Sequence, residues 1–116
     1  HQTGSRKLCT IQHSSLERIL HNTMIIGTLS ISVFIMGSRS LKDKRRIIKS
    51  LKDRIRNNFN VSISETSAQD NHKYSKLSVA MVGTDRQYVN STLSSLINFF
   101  RFFPQVQLVN YELGLL

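Results

Sequence analysis

Between Arg39 and Arg56 the chain repeats basic side chains at steps of mostly three and four residues: Arg39, Lys42, Arg45, Arg46, Lys49, Lys52 and Arg56. On a helix, residues three and four apart are neighbours on one surface. A row of ammonium and guanidinium groups of this kind can follow a chain of phosphates and gain affinity by releasing condensed counterions. Such contacts position a nucleic acid without reading its bases. The alternative use of the same row is a plain solvated helix face. Two acids, Asp43 and Asp53, leave most of the eight bases from Lys42 to Arg56 uncompensated, which favours polyanion binding. The formal charge of the 116-residue chain is +9, and it is local: residues 24 to 56 hold nine basic and two acidic side chains, residues 57 to 116 four of each. A field confined to one segment attracts nucleic acid or an anionic surface, whereas a charge serving solubility would be dispersed.

Other chemistry-bearing residues are fewer. Glu65, Asp70 and His72 fall close together, but three polar groups with no fourth ligand and no nucleophile predict neither a metal centre nor an acid/base set. Cys9 is the single cysteine, so no intramolecular disulfide and no cysteine-based zinc site is expected, and a reducing, cytoplasmic setting fits. No cofactor is implied. The longest apolar run, Ile25 to Met36, is interrupted by Gly27, Thr28, Ser30 and Ser32 and falls short of the roughly 20 residues needed to cross a bilayer. No membrane partner is expected, because the apolar stripe of the basic helix lacks an aromatic anchor and is needed to cover a sheet.

The elements that must position the basic row follow from periodicity. Ile25 to Ile35 alternates with period two, which predicts a strand with one buried face. After a turn at Gly37 to Arg39, Ser40 and Asp43 have the spacing of a capping box. On the helix that follows, Ile47, Leu51, Ile55, Ile48 and Leu41 fall within about 120° of arc, and Lys52, Arg45, Arg56, Lys49, Lys42 and Arg46 lie at about 140° to 260° from Ile47. Asn57, Asn58 and Asn60 mark its end. Val61 to Thr66 reads as a more polar strand, Ser67 to Lys73 as a loop and Tyr74 to Gly83 as a third strand. Thr84 with Gln87 predicts a second capping box, ahead of Val89, Leu93, Leu96, Ile97 and Phe100 at helical spacing, and Pro104 stops that helix. Val106 to Leu115 reads as a last strand with Val109, Tyr111, Leu113 and Leu115 on one face.

The order β-α-β-β-α-β predicts an α+β, ferredoxin-like domain, with two helices on one face of a four-stranded antiparallel sheet, over residues 24 to 116. Residues 1 to 23 lack a sustained apolar period and are expected to be a disordered extension or an upstream remnant. The uncovered sheet face would carry Thr28, Ser30, Ser32, Phe34, Ser62, Ser64, Ser78, Ala80 and Val82. The third strand lacks the aromatic and glycine pattern with which RRM sheets stack on bases. The Gly37-Ser38-Arg39-Ser40 turn opens a helix, a place that attracts anions. Acylphosphatases share this topology and hold a phosphate loop there, but the turn here is shorter and lacks their glycine pattern and partner asparagine.

The run SLKDKRRIIKSLKDRIRNNFNVSISE (Ser40 to Glu65), with MIIG from Met24 ahead of it and Ala68-Gln69-Asp70 after it, resembles the YlxP-like family, also called domain of unknown function 503. The resemblance covers essentially all of residues 24 to 116; Asn71-His72 departs from it, since a large apolar or aromatic residue is expected there. It implies a small bacterial ferredoxin-like protein with no established active site. Genes of the family often lie beside those for translation initiation and ribosome-binding factors, which implies a role with ribosomal RNA or in ribosome assembly. The expectation is therefore a non-enzymatic RNA-binding domain using Arg39, Lys42, Arg45, Arg46, Lys49, Lys52 and Arg56, with ribosomal RNA or the small ribosomal subunit as partner. The alternatives are a homodimeric protein-interaction module with no nucleic-acid role and, third, an acylphosphatase-like hydrolase.

Overall fold

The computed structural model describes residues 24–116. The expected extension at residues 1–23, Cys9 included, lies outside the described residues. Six elements follow in the predicted order: β1 (Ile25–Ile35), α1 (Leu41–Asn58), β2 (Ser62–Ser67), β3 (Tyr74–Gly83), α2 (Arg86–Phe102) and β4 (Val106–Leu115). The strands form one sheet in the order β2-β3-β1-β4, with antiparallel neighbours throughout. This is the ferredoxin-like α+β arrangement.

Each element follows from its residues. β1 buries every second residue, Ile25, Gly27, Leu29, Ile31, Val33 and Ile35, beneath the helices. Ser40 caps α1: its hydroxyl accepts the Asp43 backbone N–H at 3.1 Å, and the Asp43 carboxylate in turn accepts the Arg39 N–H at 3.1 Å. The apolar arc of α1 is buried at Ile47, Ile48, Leu51 and Ile55. α2 buries Val89, Leu93, Leu96, Ile97 and Phe100 and ends two residues before Pro104. Both helices press these stripes onto the same sheet face, and together with Ile63, Leu77, Val79 and Met81 they make one core. α1 approaches the sheet most closely at β2, and α2 at β4, β1 and β3.

Two expectations need correction. The cap of α2 is Asp85 and not Thr84: the strand runs to Gly83, Thr84 makes the bend that follows it, and the extended Asp85 precedes the first helical residue, Arg86, with its carboxylate accepting the Gln87 N–H at 3.1 Å. On β4 the predicted shared face fails at Val109. The register passes from Ser32↔Asn110 to Val33↔Leu108, so Val109 is the extra residue of a β-bulge. Leu108, Tyr111, Leu113 and Leu115 lie opposite core positions of β1, while Val109 is exposed. A two-residue alternation cannot reveal a one-residue insertion that only pairing with β1 defines.

Candidate nucleic-acid interface

α1 carries the basic row on a rigid support. Lys42, Arg45, Arg46 and Lys49 are exposed and Lys52 is partly so, all on the side turned away from the sheet. Arg39 is exposed in the turn ahead of the helix, its backbone fixed by Asp43. Arg56, at the other end, is turned toward the sheet edge and donates to the Ile63 carbonyl at 3.1 Å. The structure thus brings six of the seven predicted residues to one end-to-end surface and sends the seventh to an edge strand.

Two of these cations already have partners. Arg46 pairs with Asp43 at 3.1 Å and Lys49 with Asp53 at 2.9 Å, both exposed and therefore weak. The hydrogen bond from Lys49 holds the Asp53 carboxyl below its ordinary range, against the opposing effect of desolvation and aided by the charges of Lys49, Arg56 and Lys52. Asp53 is thus ionised at neutral pH and subtracts from the field of the row. Among the described residues, Lys42, Arg45 and Lys52 have no carboxylate within ion-pair distance. The six side chains on this surface, less Asp43 and Asp53, leave a net +4 along it.

Two bases of the segment belong elsewhere. The Arg54 guanidinium lies 5.4 Å from the Phe103 ring centroid, on the α2 side. Lys44 is 1% exposed, and its ammonium pairs with Glu65 at 2.8 Å and donates to the carbonyls of Asn71, at 2.6 Å, and Ala68. Ser75 donates to the same Glu65 oxygen at 2.6 Å. Three donors meeting three acceptors make burial of the charge tolerable. This cluster fastens the β2–β3 loop to α1, and it holds Ala68 at φ +62°, a left-handed conformation that costs about 1 kcal/mol or more outside glycine. Sequence reasoning counted Lys44 with the basic segment and missed this role. Its angle on the helical wheel, about 60° from Ile47 and inside the apolar arc, was the available signal.

The remaining candidates have structural occupations. Glu65 is spent on Lys44 and Ser75, away from the exposed Asp70. Asn71, one of the two departures from the family pattern, supplies a carbonyl to Lys44 and caps the Lys73 N–H with its side chain at 2.8 Å. At the helix-opening turn, Gly37 has φ +76°, Ser38 is buried and donates to the Ser40 carbonyl at 3.1 Å, and the Arg39 and Asp43 N–H groups are taken by Asp43 and Ser40. An incoming phosphate would have to displace those caps. On the uncovered sheet face Phe34 and Tyr74 pack edge to face at 5.3 Å at one end, and the middle is Thr28, Ser30, Ser78 and Ala80.

The family model described as "Protein of unknown function (DUF503)" matches residues 26–113. A curated relative, "Uncharacterized protein YlxP" of Bacillus subtilis (strain 168), is 32% identical over 83 residues, covering 72% of this chain and 90% of that relative. No helix among the described residues is long and apolar enough to cross a membrane.

Proposed function

We propose that this chain, which belongs to the DUF503 family of proteins of unknown function, is a non-catalytic, cytoplasmic RNA-binding protein that takes the phosphate backbone of structured RNA on the outer face of α1. The observation that carries the reading is the row Lys42, Arg45, Arg46, Lys49 and Lys52, presented on a helix whose other face is locked into the core. A charge array held by a packed helix loses little conformational freedom on binding and exchanges counterions for phosphates. Among the described residues the exposed aromatics, Tyr74, Tyr88, Phe102 and Tyr111, lie outside α1, so the row has no stacking platform and favours backbone contact without base readout. Among polyanions, ribosomal RNA and the small ribosomal subunit are singled out by the family resemblance.

The test is binding of the full chain to ribosomal RNA and to small subunits across a salt series. With four or five phosphates engaged, log K should fall against log salt with a slope of about −3 to −5. A Lys42→Glu/Arg45→Glu/Lys52→Glu variant, all three residues being at the surface, should fold normally and lose binding. Asp53→Asn removes an opposing charge and releases Lys49, so it should bind several-fold tighter and steepen the slope. Absence of binding at low salt, or a triple variant that binds like wild type, would remove RNA as the partner of this face.

A further inference from the structure

The two edges of the sheet are built differently. β2 is six residues long, mostly Ser, Thr and Glu, and the Arg56 guanidinium sits on its Ile63 carbonyl. Short length and a covering cation are the usual protections of an edge strand. β4 is ten residues long, and Glu112 is its single charged side chain. Among the described residues β1 is its only neighbour, so its outer row of N–H and C=O groups has no strand to receive it. Beside that row a groove between the end of α2 and β4 is lined by Met36, Arg101, Phe102, Val109 and Tyr111. Phe102 is 82% exposed, Val109 58%, and Met36 and Tyr111 about 40% each.

We propose that β4 pairs antiparallel with β4 of a second copy about a two-fold axis, joining two sheets into one of eight strands. Beyond the bulge, Asn110 to Leu115 keep regular register with β1 and offer an undistorted edge. The two-fold repeats every contact: centred on Asn110 to Leu115, it sets the exposed Leu116 of each copy opposite Val109 of the other, at the rim of the groove that Phe102 also lines. With one acid on the strand, antiparallel pairing sets like charges opposite each other in a single register only.

Charge distribution selects β4 over β2. α1, with its net +4 surface, lies nearest β2, at the far side of the sheet. Pairing through β4 leaves the two β2 strands seven strand spacings apart, about 34 Å at about 4.8 Å each. That is several times the screening length of about 8 Å at physiological salt. Pairing through β2 would set two strongly basic helices side by side. This inference stands whether or not α1 binds RNA.

The experiment is the mass of the full chain in solution at near-physiological salt, by sedimentation velocity over a concentration series. The expected species is a dimer, twice the 13.3 kDa chain. Phe102→Lys/Val109→Lys changes only exposed side chains and should give a folded monomer with an unchanged far-ultraviolet spectrum. Val82→Lys, an exposed position on the uncovered sheet face, should remain dimeric. A monomeric wild type overturns the proposal, as does a dimer that survives the double variant. Loss of the dimer in Val82→Lys would place the contact on the open face and overturn it equally.

Discussion

Lys44 shows how one residue of a charge run can do the opposite work from its neighbours. Its ammonium lies beneath the β2–β3 loop, held by Glu65 and by the carbonyls of Ala68 and Asn71. Removing one member of a buried pair leaves the other charge stranded, which is costlier than never having had the pair. Lys44→Met is therefore expected to cost about 3 kcal/mol, read as a lower urea midpoint at unchanged slope. Lys44→Met/Glu65→Leu removes both charges and should recover much of that loss. A single variant within about 0.5 kcal/mol of wild type would show that the ammonium does not pin the loop. The lysine itself was legible as a charge at an apolar angle. Its partner was not, because Glu65 reaches it only through the register of β2 on β3, which pairs Glu65 with Leu77.

At the scale of the element, α2 sits close to the sheet because two glycines make room for it. A Cβ at Gly27 would stand 2.5 Å from Val89 Cγ1 and 2.8 Å from Leu93 Cδ1, and one at Gly83 would stand 2.6 Å from Val89 Cγ2. Gly83 pairs with Ile25, two residues before Gly27, so the two hollows are adjacent and Val89 occupies both. Valine has one preferred rotamer in a helix and cannot turn aside. Gly27→Ala is expected to destabilise by about 1–3 kcal/mol through overpacking, and Val89→Ala, itself destabilising, should lower the cost of the Gly27 change in a double-mutant cycle, leaving the contact with Leu93. Additive losses would show that the helix does not rest on this hollow. Strand and helix periods made the elements readable, and Gly27 appeared in them as one more core position of β1. That it is a contact surface for α2 depends on interlayer distance, which no single element encodes. The bulge at Val109 escaped for a related reason, since it exists only in the pairing of β4 with β1.

For the whole molecule, the order of elements, the one-sided sheet and the segregation of charge were all readable, because each rests on local periodicity and on counting. The consequence of that segregation is thermodynamic. Along α1, at three- and four-residue steps, the like-charge neighbours are Lys42–Arg45, Lys42–Arg46, Arg45–Lys49, Arg46–Lys49, Lys49–Lys52 and Lys52–Arg56. The opposite-charge neighbours are Asp43–Arg46, Lys49–Asp53 and Asp53–Arg56. At about 0.2–0.5 kcal/mol each, the excess of repulsive pairs costs the folded state about 1 kcal/mol at low ionic strength. Residues 57 to 116, with four charges of each sign, offer no compensating field. Salt should therefore stabilise this protein: going from about 0.01 M to about 0.5 M sodium chloride shrinks the screening length from about 30 Å to a few Å, and Tm should rise by about 3–5 °C. The same relief should come at low salt from a saturating polyanion such as polyphosphate. In Lys42→Gln/Arg45→Gln/Lys52→Gln the repulsion is gone, so its Tm should start higher and change little with salt, which separates charge screening on α1 from general salt effects on burial. A wild-type Tm that is flat or falls with added chloride would mean that the repulsion on α1 is already dissipated in solvent, and the basic face would then gain no stability from meeting phosphates.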